Sequence, residues 1–103
     1  RIAYSASKGA LLALTKAIAN GFAKDRIRCN WITVGWVASP GEIALRDVLN
    51  GSGVDYLEEH SSRAPLGRIE RPEEIAAGVA YLASDEAAHV TGCELNISGG
   101  MWI

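Results

Sequence analysis

A tyrosine and a lysine near the start of the chain have a spacing that suits acid–base chemistry. Tyr4 and Lys8 are four residues apart, so on a helix their side chains leave the same face about one turn from each other. A phenol is a poor proton shuttle at neutral pH, but a neighbouring ammonium stabilises its phenolate form. The pair therefore predicts a general acid or base at Tyr4. The alternative is a chance surface pair, since this spacing arises in roughly one chain in ten of such composition.

The segment that holds this pair has the pattern of a long helix. Apolar residues between Ala3 and Lys24 recur at three- and four-residue spacing: Ala10, Leu11, Leu14, Ala17, Ile18 and Phe22. A second face carries Ala6, Leu12, Ala13 and Ala19. Because two apolar faces are more than one contact with a sheet needs, we expect the helix to be buried on two sides, partly against another subunit. A homodimer or homotetramer is predicted.

Two later segments have the composition of β-strands. The run 27–34 is rich in β-favouring side chains and ends at Gly35, whereas in the run 93–98 apolar and polar residues alternate. A helix is predicted to begin at Pro72, because two acidic residues follow the proline in the first turn. Helices that alternate with strands favour a parallel sheet flanked by helices.

The stretch between the first strand and the helix at Pro72 is expected to be a long excursion. Glycines and a proline surround one short periodic stretch from Ile43 to Leu49, which predicts a small helix. The sequence Gly51-Ser52-Gly53 is interpreted as a loop turn, because it follows no strand and lacks a third glycine. The excursion from Pro40 to Arg68 would cover a substrate, but it contains no group of polar residues that indicates a substrate class.

Composition excludes several kinds of function. Ten Lys and Arg against twelve Asp and Glu leave a net charge of −2, so no basic surface for nucleic acid is expected. No apolar run reaches the ~20 residues that a membrane span needs. Cys29 and Cys93 lie far apart without metal-ligand spacing, which predicts reduced thiols, no metal site and a cytoplasmic protein. His60 and His89 are isolated and are assigned no role.

Motifs along the whole chain support a family resemblance. In order they are Tyr4-Ser5-Ala6-Ser7-Lys8-Gly9-Ala10, Ile27-Arg28-Cys29-Asn30, Gly35-Trp36-Val37, Pro65-Leu66-Gly67-Arg68, Arg71-Pro72-Glu73-Glu74-Ile75-Ala76, Tyr81-Leu82-Ala83-Ser84-Asp85 and Thr91-Gly92 leading to Ser98-Gly99-Gly100. This succession strongly resembles the C-terminal portion of the short-chain dehydrogenases/reductases. The resemblance implies the C-terminal half of a doubly wound Rossmann-type parallel sheet flanked by helices.

The resemblance also implies a chemistry. In that family, NAD or NADP exchanges a hydride with a small-molecule alcohol or carbonyl, while the tyrosine of a Tyr-x-x-x-Lys pair exchanges the proton. Tyr4 takes that role by resemblance. Lys8 is implied both to stabilise the phenolate and to bind the nicotinamide ribose.

A loop that contacts the cofactor in the family matches residues 30–39 here. Two positions depart from its pattern: Val34 replaces a proline, and Ser39 replaces a threonine but keeps the hydroxyl. The resemblance implies cofactor contacts from Gly35, Val37 and Ser39. Trp36 lies in the same loop and is the tryptophan expected to line a pocket.

Other features of the family have no counterpart in this sequence. Its glycine-rich phosphate loop and its catalytic serine would precede Arg1, where no signal peptide is recognised either. We therefore expect residues 1–103 to be the C-terminal part of a single NAD(P)-binding domain whose nucleotide-binding half is absent. The alternative is a truncated, non-catalytic relative that acts as an oligomerisation or binding module.

Overall fold

A computed structural model of the protein describes residues 1–50 and 53–101. A long helix is followed by a strand, three further helices and a second strand. The elements are α1 (Ile2–Gly21), β1 (Trp31–Val34), α2 (Pro40–Asn50), α3 (Gly53–Arg63), α4 (Pro72–Ala83) and β2 (Glu94–Ile97), with short 3₁₀ helices at Ala23–Asp25 and Asp85–Ala87.

The two strands pair in parallel, as predicted. Trp31 lies opposite Glu94 and Val34 lies opposite Ile97. Helices connect the strands, so the architecture is a parallel sheet flanked by helices. In β2 the exposed Glu94 and Asn96 alternate with less exposed apolar residues, which confirms the expected pattern.

Both strands are shorter than predicted. Before Trp31, hydrogen bonds that involve side chains replace part of the backbone pairing between the two segments. The Asn30 amide nitrogen donates to the Val90 carbonyl at 3.0 Å, and its oxygen accepts from the Cys93 N–H at 3.1 Å. The Cys29 N–H donates to the Thr91 hydroxyl at 3.1 Å. Regular pairing therefore begins only at Trp31, although the chain runs beside residues 90–93 before it.

Helix α4 starts where the sequence predicted and packs on the sheet through a glycine. The Arg71 N–H, which would otherwise lack a helical partner, donates to the Glu74 carboxylate at 2.9 Å. A Cβ placed on Gly78 would overlap the Cδ1 atom of Ile97 and lie 3.2 Å from Cδ2 of Leu95. Gly78 is therefore the residue that lets α4 approach β2 closely.

Within this chain, helix α1 buries only part of the two apolar faces that the sequence indicates. Thr15 and Ala19 are buried and Leu12 and Ile18 are half-buried, whereas Leu11 and Leu14 are 47% and 52% exposed. Thr15 tolerates burial because its hydroxyl donates to the Leu11 carbonyl at 2.9 Å. Both faces are apolar, so periodicity alone did not show which of these residues the chain buries.

The excursion contains more helix than predicted. The small helix expected from Ile43 to Leu49 extends over Pro40–Asn50, and the 11-residue helix α3 was not anticipated. Gly53, interpreted as part of a turn, is the first residue of α3. Gly51 and Ser52 of that prediction lie outside the described residues.

The end of α1 carries a strained residue. Helix α1 ends at Gly21 instead of Lys24, and the 3₁₀ turn that follows is capped by Arg26 with a φ of 60°. Glycine adopts this left-handed conformation without steric cost, whereas a residue with a Cβ does not. Arg26 therefore destabilises the turn.

Candidate active site

An open groove of about 860 Å³ lies between α1 and the end of β1. Four residues on one face of α1 line one side of it: Tyr4, Lys8, Leu11 and Thr15. Residues 30–36, which include β1 and the start of the following loop, line the other side. Because parallel strands end at a common edge where ligands bind, this position suits a small-molecule site.

The structure brings the predicted acid–base pair together in this groove. The Lys8 ammonium lies 5.6 Å from the centroid of the Tyr4 ring, and the Arg1 guanidinium carbon lies 4.4 Å from the same centroid. Tyr4 is 51% exposed, so a bound molecule can reach its hydroxyl.

Of the predicted cofactor residues in the loop, Gly35 alone lines the same groove as Tyr4 and Lys8. Val37 forms an isolated parallel bridge with Glu70. The Ser39 hydroxyl accepts a hydrogen bond from the Glu42 N–H at 3.1 Å, and so caps the N-terminus of α2. The hydroxyl that the family places here thus has a structural task in this chain.

Sequence reasoning missed Glu70, whose carboxylate lies under this loop. Glu70 is only 7% exposed, and its Oε2 accepts a hydrogen bond from the Gly35 N–H at 2.9 Å. Burial raises the pKa of the Glu70 carboxyl, although the bond from Gly35 opposes that shift. The local pattern does not distinguish Glu70 from the exposed Glu73, so only the tertiary structure reveals it.

An ion pair holds the segment that carries Glu70. Arg68 donates to both carboxylate oxygens of Glu74, at 2.6 and 2.9 Å. The Arg68 guanidinium, together with the Arg71 N–H, lowers the pKa of Glu74 from 4.5 to about 2. This bidentate pair joins the residues before α4 to its first turn.

The excursion reaches the groove through an aromatic contact. Trp36, which lines the groove, has its ring centroid 4.2 Å from that of His60 at an interplanar angle of 79°. This edge-to-face arrangement is favourable for aromatic pairs. His60, which the sequence left without a role, therefore connects α3 to the loop beside the candidate site.

The described residues show neither a metal centre nor a membrane span. Within 1–50 and 53–101, no three His, Cys, Asp or Glu side chains group closely enough to hold a metal ion. Among the helices of that part of the chain, none has the length and apolar content needed to cross a bilayer.

Comparison with known proteins identifies related sequences. Residues 1–102 match a family model described as enoyl-(acyl carrier protein) reductase. The chain is 38% identical over 100 residues to an acetoacetyl-CoA reductase from Acinetobacter sp. (strain RA3849), covering 97% of this chain and 38% of that protein. It is 39% identical over 100 residues to a 7alpha-hydroxysteroid dehydrogenase from Clostridium sardiniense, covering 97% of this chain and 36% of that protein. The chain thus spans less than two-fifths of the length of these relatives.

Solved structures share the same fold. Ligand-free aldohexose dehydrogenase from Thermoplasma acidophilum superposes with a TM-score of 0.85 at 35% identity, covering 96% of this chain and 40% of that one. L-sorbose reductase from Gluconobacter frateurii, complexed with NADPH and L-sorbose, superposes with a TM-score of 0.83 at 32% identity, covering 95% and 39%. The parallel sheet, the paired Tyr4 and Lys8 and these matches agree, and the chain belongs to the short-chain dehydrogenase/reductase family.

Proposed function

We propose that this chain is the catalytic C-terminal part of an NAD- or NADP-dependent oxidoreductase that interconverts a small-molecule alcohol and a carbonyl. The observation that carries the proposal is the placement of Tyr4 and Lys8 in one groove with the backbone of Gly35. The names of the relatives support it, since they are reductases and dehydrogenases. The NADPH in the L-sorbose reductase structure supports the cofactor class.

The residues of this chain account for the proton side of the reaction. When bound, the nicotinamide supplies or accepts the hydride at the substrate carbon. In the direction of reduction, the Tyr4 hydroxyl gives its proton to the carbonyl oxygen and becomes a phenolate. In oxidation, the phenolate takes the proton from the alcohol. Lys8 would hold the nicotinamide ribose by a hydrogen bond from its ammonium group, and its positive charge would stabilise the phenolate formed at Tyr4.

The groove offers contacts for part of a nicotinamide dinucleotide. Its volume of about 860 Å³ suits a small-molecule site. Gly35 presents backbone without a side chain on one wall, while Lys8 supplies a positive charge on the other. We assign the cofactor-binding contacts to Tyr4, Lys8, Gly35, Val37 and Ser39.

The small core supports the proposal that residues 1–103 are part of a larger domain. Within the described residues, the buried apolar side chains are Ala19, Ala64, Ile69, Leu82 and Ala87. The radius of gyration is 16.3 Å, whereas a compact domain of this length measures about 13 Å. We propose that a nucleotide-binding half of the same domain covers the free side of α1 and the second edge of β1.

Two further features belong to the proposal. Leu14 on α1, which is exposed and lies outside the groove, supports a homodimer or homotetramer. The thiols of Cys29 and Cys93 are both unpaired, which supports a reducing, cytoplasmic location.

Replacement of Tyr4 in the full-length protein tests the activity. Tyr4→Phe removes only the hydroxyl. With a substrate that the wild type converts, we expect kcat to fall by about 10²- to 10⁴-fold, which is the usual contribution of a general acid or base to the rate. Nicotinamide nucleotide binding, measured by calorimetry, should persist. The matched control is Tyr81→Phe, because Tyr81 is a 44% exposed tyrosine on α4 outside the groove.

Two outcomes would contradict the proposal. Equal turnover by Tyr4→Phe and the wild type would refute the role of Tyr4. A wild-type protein that binds neither NADH nor NADPH would favour the non-catalytic relative, which acts as an oligomerisation or binding module.

A further inference from the structure

The buried carboxylate of Glu70 holds the loop that follows β1 at its first residue. Glu70 is 7% exposed, and its Oε2 accepts the Gly35 N–H at 2.9 Å. Among the described residues, Glu70, Thr15 and Ser98 are the buried polar side chains. A carboxylate is costly to bury, so its retention at this place requires a compensating contact. The Gly35 amide is that contact.

The backbone of Glu70 holds the same loop at two further points. The Glu70 N–H donates to the Trp36 carbonyl at 2.9 Å, and the Ala38 N–H donates to the Glu70 carbonyl at 2.8 Å. These bonds lie on either side of Val37, which forms the parallel bridge with Glu70. One residue therefore fixes Gly35, Trp36 and Ala38 at once.

The fit between the carboxylate and Gly35 leaves no room for adjustment. A Cβ on Gly35 would lie 2.6 Å from Oε1 of Glu70 and 3.0 Å from the Ser98 carbonyl oxygen. The carboxylate thus occupies the space beside Gly35 where a side chain would otherwise lie. Gly35 in turn lies on the wall of the groove that contains Tyr4 and Lys8.

We propose that Glu70 is a positioning residue for the nicotinamide cofactor. It does not touch the groove; it acts by holding residues 35–38 in the conformation that presents the Gly35 backbone to the bound nucleotide. This inference rests on the proposed function, because it assumes that the groove binds a nicotinamide nucleotide. It adds a determinant of cofactor affinity outside the Tyr4 and Lys8 pair and outside the loop itself.

Variants of Glu70 in the full-length protein test the proposal by calorimetric Kd for NADH and NADPH. Glu70→Ala removes the acceptor and leaves the Gly35 N–H unpaired, which should weaken binding by about ten-fold or more. Glu70→Gln retains a side-chain oxygen acceptor and should restore Kd to within about three-fold of the wild type. The control is Glu73→Ala, since Glu73 is an exposed acid in the first turn of α4.

Two additional readouts separate positioning from general stability. Hydrogen exchange by mass spectrometry should show faster exchange of segment 35–38 in Glu70→Ala, with unchanged exchange in α1. The KM for the nucleotide should rise while kcat at saturation changes by less than KM does. If Glu70→Ala fails to fold, Glu70→Asp replaces it: the carboxylate is withdrawn by one methylene, and a Kd several-fold weaker is expected.

The outcomes distinguish this inference from the function on which it rests. If the wild type binds a nucleotide and Glu70→Ala or Glu70→Asp binds it equally well, the positioning role is wrong and the proposed function stands. If Glu70→Gln is as weak as Glu70→Ala, hydrogen-bond acceptance is not the cause and the role is also wrong. If the wild type binds neither nucleotide, the proposed function itself is refuted.

Discussion

Replacement of Gly35 by alanine should have an effect out of proportion to one methyl group. The new Cβ would lie 2.6 Å from Oε1 of Glu70 and 3.0 Å from the Ser98 carbonyl oxygen. The carboxylate can move aside only by losing its 2.9 Å hydrogen bond from the Gly35 N–H. The Ser98 oxygen belongs to the backbone and cannot move independently.

The magnitude follows from these contacts. A buried hydrogen bond to a charged acceptor is worth about 1.5–3 kcal/mol, and an added methyl in a filled site costs about 1–3 kcal/mol. The reduced entropy of the unfolded chain offsets about 0.4–1 kcal/mol. We therefore expect Gly35→Ala to lower the free energy of unfolding by about 2–5 kcal/mol. Nucleotide affinity should fall with it, because the same residue lines the groove.

Urea unfolding of the full-length protein measures the change, with Gly41→Ala as control. Gly41 lies in α2, and a Cβ there would meet nothing within 4 Å. Alanine should therefore stabilise that position by up to about 1 kcal/mol. The two substitutions are chemically identical and lie six residues apart, but they should have opposite signs.

A double-mutant cycle with Glu70→Ala tests the stated cause. If contact with the carboxylate is responsible, Gly35→Ala should cost less in the Glu70→Ala background than in the wild type, with a coupling of about 1 kcal/mol or more. Additive effects of the two substitutions would refute the reasoning, as would equal effects of Gly35→Ala and Gly41→Ala.

Substitutions at four other positions give testable outcomes. Glu74, with its pKa lowered from 4.5 to about 2, contributes stability above pH 4.5 that is lost as pH falls toward 2; in Glu74→Gln, urea midpoints should vary less across that range. Arg26→Gly should raise Tm, because it removes the steric cost of about 1 kcal/mol that a non-glycine residue has in the left-handed conformation. Ser39→Ala should destabilise by about 1 kcal/mol through the lost helix cap, and Ser39→Thr should not, as measured by urea unfolding. Leu14→Glu should shift light scattering toward monomer; an unchanged mass would contradict the α1 interface.

The residue pattern alone was sufficient to predict features that depend on residues close together in sequence, and the direction in which the strands pair. The four-residue spacing of Tyr4 and Lys8 places them on one helix face in any helix, and the structure brings them together. The proline followed by acidic residues set the start of α4. Alternation of helix and strand was enough to predict parallel pairing. Parallel strands need a long crossover connection, usually a helix, whereas adjacent antiparallel strands can be joined by a short hairpin.

Tertiary structure decided the features that depend on residues distant in sequence. Which residues of α1 are buried depends on tertiary packing: Thr15 and Ala19 are buried, and a Cβ on Gly92 would lie 3.5 Å from that of Ala19. The role of Glu70 depends on a hydrogen bond to Gly35, 35 residues away, which no local pattern encodes. Likewise, the resemblance implies a cofactor contact at Ser39 but not the cap on α2, which the Ser39 hydroxyl forms because the chain turns into a helix immediately after it. Spacing along one element is a local property, whereas burial and pairing between elements arise only when the chain has folded.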